Sequence, residues 1–240
     1  MIKKKEENNM IINLKKIIEN HQHYLNRDCV GWENMRAELQ NCELCYADLH
    51  NADLREANLH GADLSKANLQ NTNLYKADLG GAVLRGANLY KSNLNKTNLY
   101  RAILSKSNMH KASLHQANLH GAELEDVNLS ASNLYQANLC DANLRSANLQ
   151  EVDFCEANLL NVNLNNADLR KADLDFSCLP LHDGSLAANF DSNQLKQLAY
   201  ILVQAGLNSN NATNKDKAEL RKLIYYANKS NYSEEYGMIV

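Results

Sequence analysis

Ala57-Asn58-Leu59-His60-Gly61, Ala62-Asp63-Leu64-Ser65-Lys66 and Ala67-Asn68-Leu69-Gln70-Asn71 are three consecutive units of one five-residue pattern. Extended in both directions, the same register puts a large apolar residue at every fifth position from Leu39 to Leu179. Of these 29 positions 27 are Leu, and the other two are Met109 and Phe154. Two residues before each stands a small residue, usually Ala. Asn or Asp usually precedes the Leu, and the two residues after it are variable and mostly polar. An internal repeat of this length decides the architecture before any local propensity does.

A period of five matches neither the 3.6 of a helix nor the 2 of a strand. Every fifth side chain can face one axis only if the chain turns after each unit. One large and one small inward residue per unit suit a side whose middle faces that axis and whose corner is crowded. Asn and Asp beside the Leu tolerate unusual dihedrals and bond to nearby amides. Successive coils then pair backbone to backbone at roughly 4.8 Å, and each gains a core only from its neighbours.

These A-(N/D)-L-x-x units resemble the pentapeptide-repeat proteins. The resemblance implies an all-β solenoid, a right-handed quadrilateral parallel β-helix with four units per coil, hence about seven coils and on the order of 35 Å of length. It implies a domain at 37–181, flanked by segments 1–36 and 182–240. The repeat residues build the core, so the motif speaks to fold and is nearly silent on function.

Both flanks read as caps. Met10, Ile11, Leu14, Ile17, Ile18, His21 and Leu25 recur at helical spacing, with Asn8 or Asn9 as N-cap and Trp32 wedged between helix and first coil. Such a helix would cover leucines and strand edges that an open solenoid end exposes. Beyond Pro180 two amphipathic helices, around 192–206 and 215–228, would cap the other end or make a homodimer. Leu160 and Phe176 would suit being covered there.

No apolar run approaches a membrane span, and the basic Met1–Lys5 leader lacks the apolar stretch of a signal. Six irregularly spaced cysteines read as reduced thiols of a cytosolic protein. Cys42 and Cys45 have C-x-x-C spacing, but the repeat frame turns Cys42 inward and Cys45 outward. His110, His115 and His120 fall on three different faces. Tyr100, His120 and Cys140 form one surface column, and His115 with Tyr135 another. No nucleophile–base pair stands out, and the expectation is no catalytic residue, no cofactor and no metal.

Charge is distributed unevenly. No acid lies between Asp78 and Glu123, while Arg85, Lys91, Lys96, Arg101, Lys106 and Lys111 give six positives. Acids dominate from Glu123 to Glu156. Val83 and Ile103, 20 residues apart, replace the usual Asn or Asp with an apolar residue and stack as a small exposed patch. Patch and basic belt are the candidate partner-binding residues of a non-enzymatic interaction scaffold, its partner an unidentified protein. The resemblance offers a second class, a DNA-mimicking protein that binds DNA gyrase. Duplex DNA carries a charge per roughly 1.7 Å, about twenty over this length, whereas residues 37–181 hold 17 acids and 12 bases. Neither that balance nor a belt of a few charges per face favours gyrase mimicry or nucleic-acid binding.

Overall fold

The computed structural model describes residues 2–174 and 177, with side chains from Asn13 onward. Parallel bridges join residue i to residue i+20 in unbroken sequence, from Glu38–Asn58 to Asp153–Asp173. Twenty residues therefore make one coil of four five-residue sides, and bridge residues 38 to 173 make seven coils. The side bearing residues 38, 58, 78 and so on is called the first. The second bears 43, 63 and 83, the third 48, 68 and 88, and the fourth 53, 73 and 93. Each edge takes the number of the side it follows.

One hydrogen-bond set recurs in each unit. The Leu59 amide donates to the Asp78 carbonyl of the next coil at 2.7 Å, and the Asn58 amide to Ala37 of the previous one at 2.9 Å. The corner amide of Gly61 donates to Gly80 at 2.9 Å, and the Ala62 amide closes the turn on Leu59 at 3.0 Å. That turn needs a left-handed residue at its third position. Every fifth residue from Asn41 to Lys171 has positive φ, between 52° and 66°. Only four of these corners are glycine, at 61, 81, 86 and 121, so side chains of every polarity are held in this conformation by the ladder.

The Leu column is buried from Leu39 to Leu174, with Leu59, Leu99 and Phe154 at 0% exposure, and so are its small companions except Cys42, Ala47 and Ala52 in the first coil, which are partly buried. Full burial of such a side chain is worth about 1.5–3 kcal/mol. Hydroxyls at the small position find leucine carbonyls: Thr72 donates to Leu49 and Thr97 to Leu74, each at 2.7 Å, and Ser92 to Leu89 at 2.8 Å. The Ser107 hydroxyl, also buried, has no partner among the described residues.

The Asn before each Leu acts twice. Asn108 Oδ1 accepts the His110 amide at 3.2 Å, fixing the corner, and Asn108 Nδ2 donates to Asn88 one coil back at 3.3 Å. Asn128 repeats the step onto Asn108. Asp can accept the corner amide, as Asp78 does from Gly80, but has no donor for the coil beneath.

One helix, α1 (Ile2–Asn26), precedes the solenoid. It begins at Ile2, so Asn8 and Asn9 lie inside it and do not cap it: the charged leader continues the helix. Leu14, Ile17 and Ile18 pack on the core. The solenoid pattern would have residues 34 and 36 donate their amides to Asp53 and Arg55. Instead Gln22 Nε2 donates to the Asp53 carbonyl at 3.2 Å and His21 Nε2 to that of Arg55 at 2.9 Å. The buried His21 also accepts the Ala37 amide on Nδ1 at 3.1 Å. Two helix side chains thus replace the donors of a missing coil. Trp32 is not the expected wedge. It opens a short 3-10 turn (Trp32–Asn34) with no buried residue, and its half-buried ring lies 5.9 Å from Tyr24 and 5.1 Å under Arg27. The expected C-terminal helices, and Phe176, lie outside the described residues. No helix among those described is long and apolar enough to cross a membrane.

Candidate functional site

Function on this rod must reside in side chains that leave it. Those are the bridge residues on the sides and the two corner residues on each edge. The positive-φ corners hold most of the basic belt: Lys91, Lys96, Arg101, Lys106 and Lys111 all have φ between 52° and 61° and are exposed. Arg85 takes the first corner position of the second edge and is exposed as well.

The belt does not form one patch. Lys91 and Lys111 share the third edge, Lys96 stands on the fourth, Arg101 on the first, and Arg85 with Lys106 on the second. The register adds a residue that charge counting along the chain misses. Lys76 precedes the acid-free stretch but lies 20 residues before Lys96, one coil beneath it on the fourth edge. The fourth side of the middle coils is therefore framed by Lys91 and Lys111 on one edge and Lys76 and Lys96 on the other, about 10 Å across at strand rise. Between them stand the neutral bridge residues Asn73, Asn93 and Ser113.

Aromatic rings line these edges. Tyr90 stacks on His110 with centroids 5.7 Å apart, Tyr100 on His120 at 5.5 Å and His115 on Tyr135 at 5.2 Å. Cations lie over several: Lys91 over Tyr90 at 5.2 Å, Lys76 over Tyr75 at 5.3 Å and Arg101 over Tyr100 at 5.1 Å. None of the six belt residues has an ion-pair partner among the described residues, while outside the belt Arg145 pairs with Glu125, Lys171 with Glu151 and Arg170 with Asp168. The Arg170 guanidinium, above all, holds the Asp168 carboxyl down to about 2.

Val83 and Ile103 bridge directly, with Asp63 below and Glu123 above. They are half-buried rather than fully exposed, because β-branched side chains on a packed ladder shield each other. Leu160 is the more exposed apolar residue, at 48%. Tyr46, exposed on the second edge, receives Lys66 over its ring at 5.3 Å, a pairing 20 residues apart.

Cys42 lies against the core and Cys45 on the second edge, where a hydrogen bond to Asp63 and burial push its thiol up. The first edge holds a different group. His120 Nδ1 and Cys140 Sγ both approach Asp141 Oδ2, at 3.7 Å and 3.4 Å, and Asn161 donates to the other oxygen of Asp141 at 3.0 Å. Hydrogen bonds from Asn161 and Cys140 lower the Asp141 carboxyl, whereas burial raises the Cys140 thiol. The column of Tyr100, His120 and Cys140 is visible in the sequence. Asp141 joins it only because its left-handed corner (φ 59°) leaves its carboxylate beside Cys140.

The family model for pentapeptide repeats matches in eight copies, over residues 35–71, 67–105, 82–121, 107–145, 122–159 and 147–180. The chain is a pentapeptide-repeat protein. Among solved members of the family it is similar to HetL from the cyanobacterium Nostoc sp. strain PCC 7120, at 36% identity and a TM-score of 0.60, over 64% of this chain and 68% of that one. HetL is involved in heterocyst differentiation regulation. This pentapeptide-repeat protein also matches Rfr23 from the cyanobacterium Cyanothece 51142, at 30% identity and a TM-score of 0.29, over 50% of this chain and 61% of that one. Full-length QnrB1, a plasmid-mediated fluoroquinolone resistance protein, matches at 18% identity and a TM-score of 0.35, over 68% and 85%. Among curated proteins none matches.

Proposed function

We propose that this pentapeptide-repeat protein is a non-catalytic interaction module that docks an acidic protein surface on the fourth side of its middle coils. One observation carries the reading: Lys76, Lys91, Lys96 and Lys111 frame a neutral side, and none has an acidic partner among the described residues. A rigid ladder holds their backbone, so little main-chain ordering is lost on binding. Flanking Tyr75, Tyr90 and His110 add flat contact area of the kind found at interface hot spots. The likeness to HetL, a protein involved in differentiation regulation, supports a regulatory use of such docking.

Affinity capture from the source organism, identification of the bound protein and reconstitution of the complex test the reading. Reversing all four lysines to Glu should weaken the reconstituted complex at least a hundredfold and invert its salt dependence, since salt then screens repulsion in place of attraction. The pair Arg85→Glu and Lys106→Glu, on the second edge, should leave it nearly unchanged. Equal binding by the fourfold variant would refute the fourth side as the docking face.

A further inference from the structure

The first edge carries three donors of different kinds, a ring nitrogen, a thiol and a carboxylate, whose ligand atoms all lie within 4.8 Å of one another. They come from His120, from Cys140 one coil on in the same column, and from the neighbouring corner residue Asp141. With metal bonds of about 2.0–2.3 Å, two ligands of a tetrahedral zinc stand roughly 3.3–3.6 Å apart. The measured separations are 3.4 Å from Cys140 Sγ to Asp141 Oδ2 and 3.7 Å from His120 Nδ1 to the same oxygen. Two of the three ligand separations thus come within about 0.4 Å of tetrahedral spacing, and the third, between His120 and Cys140, is no more than 4.8 Å.

We propose that His120, Cys140 and Asp141 form a surface site for a divalent transition metal, zinc first, whose fourth position is open to water or to a donor from a bound partner. Mixed nitrogen, sulfur and oxygen donors select zinc and its neighbours over magnesium or calcium, which take oxygen ligands. The outer contacts are those of a metal site. Asn161 holds Asp141 Oδ1 at 3.0 Å and leaves Oδ2 toward the other two donors. The Tyr100 ring stacks on His120 at 15° and fixes the imidazole plane. Asp141 belongs to the acidic band, with Glu123, Glu125 and Asp126 in the preceding coil. Arg101, on the same edge, is engaged over Tyr100. Histidines spaced five apart suggest no metal because they face different ways. Donors 20 and 21 apart meet because the coil has that period.

A second group, His23 in the last turn of α1 with Asp28 and Cys29 just beyond it, lies within the same mutual distance but fits less well. Its His23 Nδ1 to Asp28 Oδ1 separation is 2.7 Å, a hydrogen bond and too close for two ligands on one ion. It serves as the internal control.

The test uses the full, tag-free chain, reduced and stripped with chelator, then titrated with Co²⁺ and challenged with Zn²⁺. The expected result is one equivalent of Co²⁺ with a thiolate-to-cobalt charge-transfer band, displaced by Zn²⁺. Cys140→Ser should abolish the band, His120→Gln and Asp141→Asn should weaken binding more than tenfold, and Asn161→Ala should weaken it roughly 10- to 100-fold. Gln40, His60, Gly80 and Tyr100 occupy the same column as His120 and Cys140, so Cys140→Ser and His120→Gln should keep the wild-type melting curve in the absence of metal, as should Asp141→Asn in a corner column where Asn41 and Asn161 already stand. No band at stoichiometric Co²⁺ would overturn the proposal. So would a band that survives Cys140→Ser and disappears in Cys29→Ser.

Discussion

Replacing His21 with Leu tests how the open end of the solenoid is closed. The substitution keeps an apolar side chain near the core and removes both ring nitrogens. The Ala37 amide then loses its acceptor at 3.1 Å, and the Arg55 carbonyl its donor at 2.9 Å. Ala37 is 0% exposed, so its amide carries an unsatisfied-donor penalty of about 1–3 kcal/mol, and the lost bond to Arg55 adds about 0.5–1.5 kcal/mol. A loss of about 2–3 kcal/mol confined to the cap should raise the exchange rate of the Ala37 amide roughly 30- to 150-fold, with central-coil amides such as Leu99 unchanged. The wild-type protein should show the same weakening with acid. Burial, the largest cause, lowers the His21 pKa below its usual 6.5. The unfolded cap therefore takes up a proton first, and the stabilisation, complete above about pH 6.5, is lost as pH falls toward the folded value. Hydrogen exchange read by mass spectrometry or NMR, corrected for intrinsic rates, measures both effects. An Ala37 amide equally protected in His21→Leu, or protection flat from pH 7 to pH 5 in wild type, would refute the assignment of His21 as the substitute for a missing coil.

Leu99→Asp should abolish cooperative melting, because it buries an unpaired charge at a fully enclosed position, and Leu99→Ala should cost about 2–5 kcal/mol in the same thermal or denaturant unfolding. Ser107→Ala restores the repeat consensus and removes a buried hydroxyl that has no partner among the described residues, so it should stabilise the chain by about 1 kcal/mol, read as a rise in denaturant midpoint. The double change Val83→Asn and Ile103→Asn should leave the circular dichroism spectrum intact and supply acceptors for the amides of Arg85 and Ser105, making the midpoint equal to or above wild type. Arg170→Gln should return the Asp168 carboxyl from about 2 toward its ordinary value, followed by NMR titration. In a gyrase supercoiling assay the protein should be inert.

The interior was legible because its rule is positional. The column from Leu39 to Leu174, its small companions and the 20-residue stacking of Tyr100 on His120 all follow from counting. The edges were legible only in part. That Lys91, Lys96 and Lys106 adopt left-handed backbone is imposed by the ladder and contradicts their own preferences. Lys76 escapes a charge run read along the chain, because such a run ignores what lies one coil away. His21 could be placed on the apolar face of α1, but its role depends on two solenoid groups, Ala37 and Arg55, whose open valences a sequence does not display. The large ring of Trp32 suggests burial from sequence, whereas the structure sets it half-buried against Tyr24 and Arg27.

The uniformity of the four sides has a consequence for how such a chain can change over generations. Every side offers the same leucine-and-alanine interior, so gain or loss of one unit leaves the core equally well filled. The outer columns are not so forgiving. Loss of residues 107–111 would turn everything after them by a quarter of a coil, setting Glu125 over Tyr100 in place of His120 and Gln116 over Lys91 in place of Lys111. A single small deletion could thus rewrite the surface chemistry of half the rod and spare its fold, while indels of a whole coil would preserve both. Lineages carrying this architecture can swap binding surfaces in one step, and a length difference that is a multiple of twenty marks those that kept theirs.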